Sequence, residues 1–249
     1  MSGHSKWHSI KHKKGALDAK RGKIFTRLIR EIVMAAKIGG GEPENNARLR
    51  SAVLAAKAEN MPADNIKRAI QRGTGELPGA NYEEITFEGY GPGGVAVIVE
   101  VTTDNRNRTV SEIRHAFGKS GGNLGENGSV SWMFAKKGYI VVPKDAVKED
   151  DLLNIVLENG GDDLRADGDN WEVITEPSAY ESVLEGIKKA GITPTANEIS
   201  MLPSTYTHLE GSQAGAMIRF LEFLEDHDDV QNVYSNADID EKVIEELAK

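Results

Sequence analysis

The sequence predicts an α+β protein of three domains: an N-terminal helical domain and two small ferredoxin-like antiparallel α/β modules, one inserted in the other. Up to Pro78 the apolar residues recur at helical spacing, with no strand-like alternation. Beyond it, β-branched runs alternate with amphipathic stretches, the mark of mixed sheet and helix. With 249 residues, the chain is long enough for several small cores at roughly 100–200 residues per domain.

The first helix is KRGKIFTRLIREIVMAAK. At about 100° per residue, Ile24, Phe25, Leu28, Ile29, Ile32, Val33 and Ala36 share one half of the wheel, and Lys20, Lys23, Arg27, Arg30 and Lys37 the other. Gly39-Gly40-Gly41 stops it, and a second helix begins near Asn46 with Leu49, Val53 and Ala56 as its apolar line. The third, MPADNIKRAIQRG, has Pro62 in its first turn and Gly73 as its expected C-terminal cap.

EEITFEGY and GGVAVIVEVTT read as two strands of a hairpin turned by GPGG. Thr109 with Glu112 three residues on matches a capping box, so RTVSEIRHAFGK is a helix, followed by the loop SGGNLGENG and an expected strand SVSWMFAK. GYIVVP, EDDLLNIVLENG, DLRAD, NWEVIT, PSAYESVLEGIKKAG and NEISMLP then follow in β-α-β-β-α-β order, which is ferredoxin-like. QAGAMIRFLEFLEDHD and VQNVYSNAD supply the helix and strand that the earlier module lacks. The expected division is therefore residues 1–80, residues 81–136 with 204–240, and an acidic insertion at 137–203.

Charge separates these parts. Residues 1–80 hold 16 Lys and Arg against 7 Asp and Glu, whereas 81–249 hold 14 against 32. That asymmetry fits a basic module for a polyanion carried on an acidic body. Lys6 to Arg30 alone contain nine cations and the single acid Asp18. The candidate nucleic-acid-binding residues are accordingly Lys6, Lys11, Lys13, Lys14, Lys20, Lys23, Arg27 and Arg30, extended by Arg68 and Arg72. Trp7, among these lysines, either stacks on a base or pins the N-terminal arm to the helices. Arg106, Arg108 and Arg114 form a second basic cluster, weakened as an anion site by Asp104.

Other motifs carry less. Gly89, Gly91 and Gly94 spell a dinucleotide fingerprint, but a strand follows where that motif needs a helix. His4, His8 and His12 have metal-ligand spacing without a carboxylate to complete the shell, and Asp162, Asp163, Asp167 and Asp169 lack calcium-loop spacing. His115 and His227 supply no nucleophile, base and orienting group together. No catalytic residue, metal, cofactor or small-molecule substrate is expected. The absence of cysteine excludes disulfides and thiolate chemistry. No apolar stretch reaches the roughly 18 residues of a membrane span, so a cytoplasmic protein with no membrane partner is expected.

The stretches GHSKWHSIKHKKGALDAKRGKIFTRLIREI, NMPADNIKRAIQRG, FEGYGPGGVAV and TDNRNRTVSEIRHAFGKSGGNLGENGSVSWMF together resemble the YebC/PmpR family. The resemblance runs the whole length in order and is densest to about residue 140. It implies three domains, a helical N-terminus and a non-enzymatic nucleic-acid-binding regulator of gene expression, foremost a DNA-binding transcriptional regulator. The alternative it carries is a ribosome-associated translation factor on ribosomal RNA, since mitochondrial relatives act as a translational activator of a cytochrome oxidase subunit. The chain itself has neither helix-turn-helix spacing nor an aromatic RNA-recognition strand.

Overall fold

The structure is a computed structural model that describes residues 17–240 and Val243, with side chains from Gly22 onward. Helices α1 (Leu17–Gly39), α2 (Ala47–Ala58) and α3 (Ala63–Thr74) come first. Their apolar stripes meet in a core containing Ile32, Val33, Ala36, Leu49, Val53, Ala56 and Ile66, with Phe25, Leu28 and Ile29 packed against it. Buried Asn46 caps α2 by accepting from the Leu49 amide at 3.0 Å, and its side-chain amide donates to the Ala35 and Gly40 carbonyls. One side chain thus ends α1 and starts α2.

The expected cap at Gly73 is corrected. Helix α3 runs on to Thr74, and the left-handed residue is Gly75, with φ 84°. Gly73 lies inside the helix, where a Cβ would stand 2.5 Å from the Val33 carbonyl oxygen. Its role is close approach of two helices.

Strands β1 (Glu83–Tyr90) and β2 (Ala96–Thr103) form the antiparallel hairpin, from Glu83 opposite Thr103 to Tyr90 opposite Ala96. Gly93 and Gly94, at φ 72° and 76°, make its turn, which removes the dinucleotide reading of those glycines. Helix α4 (Arg106–Lys119) is capped by Asn105, which accepts from the Arg108 amide at 3.2 Å; Thr109 is buried inside it instead of capping it. The short edge strand β3 (Asn123–Leu124) pairs with β1, and β9 (Val230–Ser235) completes the sheet in the order β3-β1-β2-β9. Val95, Val97 and Val99 pack on α4 and on α7 (Gly211–Glu225), while Ala96 and Ile98 face Met133 and Phe134 on the opposite side. Burial on both faces explains the unbroken apolar run of β2.

The expected strand SVSWMFAK divides. Ser131–Met133 form a 3-10 turn, and β4 (Phe134–Pro143) is one continuous strand of a second sheet. That sheet contains β5 (Asp163–Asp167), β6 (Asn170–Thr175) and β7 (Ala196–Pro203) in the order β5-β6-β4-β7, all antiparallel, with α5 (Glu149–Glu158) and α6 (Tyr180–Lys189) completing the ferredoxin-like series. Ile140, Val142 and Val173 pack there against Leu152, Val156, Val183 and Ile187. A parallel pair, β8 (Thr207–Leu209) with β10 (Ala237–Ile239), flanks α7. Among the described residues, no helix is long and apolar enough to cross a membrane.

Candidate nucleic-acid interface

Of the expected contact residues, Lys6, Trp7, Lys11, Lys13 and Lys14 lie outside the described residues. Lys20 is in α1, with its side chain likewise outside the description. Lys23, Arg27 and Arg30 recur at helical spacing on α1 and reach the C-terminal end of α7. Lys23 Nζ donates to the Asp226 carbonyl at 2.9 Å and pairs with its carboxylate at 3.1 Å. Arg27 donates to the Glu225 carbonyl, and Arg30 to that of Asp228. Arg30 also pairs with the buried Asp229 carboxylate at 3.1 Å, its guanidinium lying 5.5 Å from the Tyr82 ring centre. Cations there complement the negative end of a helix dipole and its unpaired carbonyls.

An open cationic face including these three is therefore corrected: in this structure they clasp α7. Burial pulls the Arg27 guanidinium below its ordinary pKa against the opposing pull of Glu225, Asp226 and Asp228. The Nε atoms of Arg27 and Arg30 are buried without an acceptor. A cavity of about 300 Å³ lies beside them, lined by Gly22, Lys23, Thr26, Arg27, Arg30, His227 and Asp228. The acidic run Glu225-Asp226-His227-Asp228-Asp229 was the sequence signal for this seam, a cluster of acids opposite a cationic helix face.

Asp229 is the centre of the seam. It accepts from Thr109 at 2.6 Å, Arg108 at 2.8 Å and Thr103 at 3.1 Å. Burial alone would raise its carboxyl pKa, but these donors and the Arg30 charge hold it below the ordinary range. His227 accepts the Asp229 amide at Nδ1 and meets Glu112 through Nε2 at 2.9 Å. Glu112, His227 and Asp229 lie close enough together to suggest a cation site. Two guanidiniums already neutralise Asp229, so the cluster is a closed hydrogen-bonded knot.

Arg68 and Arg72 differ from the seam cations. They lie one turn apart on α3, both exposed and without an ion pair among the described residues, opposite the apolar side formed by Ile66 and Ala69. Lys67 is exposed as well, on the solvent side of the same helix but about 140° round from Arg72. Arg106 pairs with Glu83 at 3.4 Å and Arg108 with Asp104 and Asp229, so most of the second cluster is neutralised within the fold.

Two family profiles match the chain: "TACO1/YebC protein N-terminal domain" over residues 5–76 and "TACO1/YebC second and third domain" over residues 82–237. A protein of Koribacter versatilis named "Probable transcriptional regulatory protein" is 74% identical over 248 residues, covering 100% of both chains. One of the same name from Acidobacterium capsulatum is 70% identical over 248 residues, again with 100% coverage of both. The crystal structure of a conserved hypothetical protein from Aquifex aeolicus superimposes with a TM-score of 0.78 at 46% identity, over 90% of this chain and 92% of that one. On profiles spanning nearly its whole length and relatives of this identity, the chain belongs to the TACO1/YebC family.

Proposed function

We propose that this protein is a cytoplasmic, DNA-binding regulator of gene expression that grips the sugar-phosphate backbone with its N-terminal helical unit. The observation that carries the reading is that the α3 cations Lys67, Arg68 and Arg72 are exposed and have no ion pair among the described residues, in a unit with 16 Lys and Arg against 7 acids. The lysines at 6, 11, 13 and 14 add to that charge, and the names of the close relatives agree with a regulatory role. Phosphate contacts of this kind set affinity and register without reading sequence.

A salt titration tests it. Binding of a defined duplex is expected to fall with a log-log slope of about −0.9 per phosphate neutralised. The slope is expected to shrink when Lys13 and Lys14, or Arg68 and Arg72, become Glu. An unchanged slope in both variants overturns the site. Weak duplex binding together with salt-sensitive co-sedimentation with ribosomes, lost in the same variants, reassigns the polyanion to ribosomal RNA.

A further inference from the structure

The loop before β4 is organised around a buried carboxylate. Glu88, on β1, is buried, and its carboxylate accepts from the amides of Gly128 at 2.8 Å, Val130 at 2.9 Å and Ser131 at 2.7 Å. Burial pushes this carboxyl up, but the amide donors outweigh it and hold its pKa below the ordinary value. The Glu88 carbonyl accepts the Gly125 amide at 2.8 Å as well. Residues 125–131 are thus wrapped around one fixed charge.

On that loop stands Trp132, 72% exposed and the most exposed of the large apolar side chains among the described residues. Its indole N–H donates to the Ser129 carbonyl at 3.2 Å, and the Tyr90 hydroxyl donates to the same oxygen at 3.3 Å. Both lone pairs of that carbonyl are taken, and both aromatic donors are satisfied within the fold. What Trp132 offers a ligand is its ring face, held in place. The stretch Gly118–Lys137 along the chain contains Lys119 and Lys136 against the single acid Glu126, its third lysine, Lys137, being paired with Asp162 and Glu176, in a body where acids outnumber cations 32 to 14.

We propose that Trp132, with Tyr90 beside it, is a stacking surface for an unpaired base of the bound nucleic acid. The inference rests on the reading of the chain as a nucleic-acid binder, and it adds a single-stranded segment to what is recognised. A fixed, exposed aromatic face with lysines nearby along the chain, Lys119 and Lys136, suits sequence-tolerant base stacking. Its satisfied N–H leaves no hydrogen-bond donor to discriminate between bases.

The test uses the full chain labelled with 5-fluorotryptophan, which gives signals from three tryptophans, that of Trp132 being identified by its loss in Trp132→Phe. The probe is a short oligothymidylate, free or annealed to its complement. The free strand is expected to shift the Trp132 fluorine signal, and Trp132→Ala to weaken single-strand binding roughly 5- to 100-fold at unchanged thermal stability. Trp132→Phe, which keeps a ring face, is expected to retain most of that affinity. A Trp132 signal unmoved at saturating free strand, or unchanged binding by Trp132→Ala, overturns the stacking role and leaves the indole as a protein-docking group. Duplex binding and its salt slope report on the helical unit alone. Intact duplex binding with a silent Trp132 therefore rejects this surface only, whereas loss of all binding rejects the underlying reading too.

Discussion

Glu88 and Asp229 have the same physics with different consequences. Each is a carboxylate taken out of water and surrounded by donors, and each has a pKa held down by those donors against its own burial. Glu88 shapes a loop from backbone amides; Asp229 joins side chains from three parts of the chain. Replacing Glu88 with Gln puts an NH₂ where an acceptor is needed, and is expected to lower stability by about 2 kcal/mol at neutral pH. Because the folded pKa lies below the ordinary 4.5, this contribution is complete above that value and lost as pH falls through the folded pKa. The stability gap between Glu88→Gln and the unsubstituted chain, followed by urea denaturation, is therefore expected to narrow in acid. Neither role was legible from residue type: Glu88 reads as an ordinary polar position in an alternating strand, and its partners lie some forty residues away.

Elements were legible where period and punctuation agreed. The helical spacing of α1 to α3, the hairpin at GPGG and the β-α-β-β-α-β order all appear in the structure. The misread details share a cause, in that a tertiary contact outweighed a local signal. Thr109 and Glu112 satisfy a capping pattern, yet the hydroxyl of Thr109 turns to Asp229 and Asn105 takes the cap. Gly73 marks a helix end by composition but serves the contact between α3 and α1. Gly73→Ala raises intrinsic helix propensity by up to about 1 kcal/mol, yet sets a methyl 2.5 Å from a backbone oxygen that cannot turn away. A net destabilisation of about 2 kcal/mol is expected, read as a lower midpoint in thermal unfolding.

At the scale of the molecule, the seam between α1 and the end of α7 joins the helical unit to the first sheet. Arg48 bridging Glu31 and Glu84, and Lys37 bonded to Asn81 and the Tyr82 carbonyl, reinforce the same junction. Its contacts are unequal. The Arg30–Asp229 pair is largely buried, whereas Lys23 and Asp226 are exposed at 43% and 78%. Arg30→Met is expected to lower stability by roughly 2–3 kcal/mol, because it removes one charged partner of a buried carboxylate. Lys23→Met is expected to change it by under about 1 kcal/mol. Equal effects of the two in urea denaturation would contradict this ranking.

By itself the sequence determined the α+β class, the helical start, the ferredoxin-like order and the concentration of positive charge near the N-terminus. Periodicity, turn residues and net charge are properties of neighbouring residues, and they survive without knowledge of the fold. Tertiary structure alone decided which cations remain open. Lys23, Arg27 and Arg30 face the carbonyls and acids at the end of α7, while Lys67, Arg68 and Arg72 face solvent. It also decided that Trp132 stands outward on a loop fixed by a distant carboxylate. Both outcomes depend on partners about forty to two hundred residues apart, and the energy of a charge or a ring is set by what surrounds it in space.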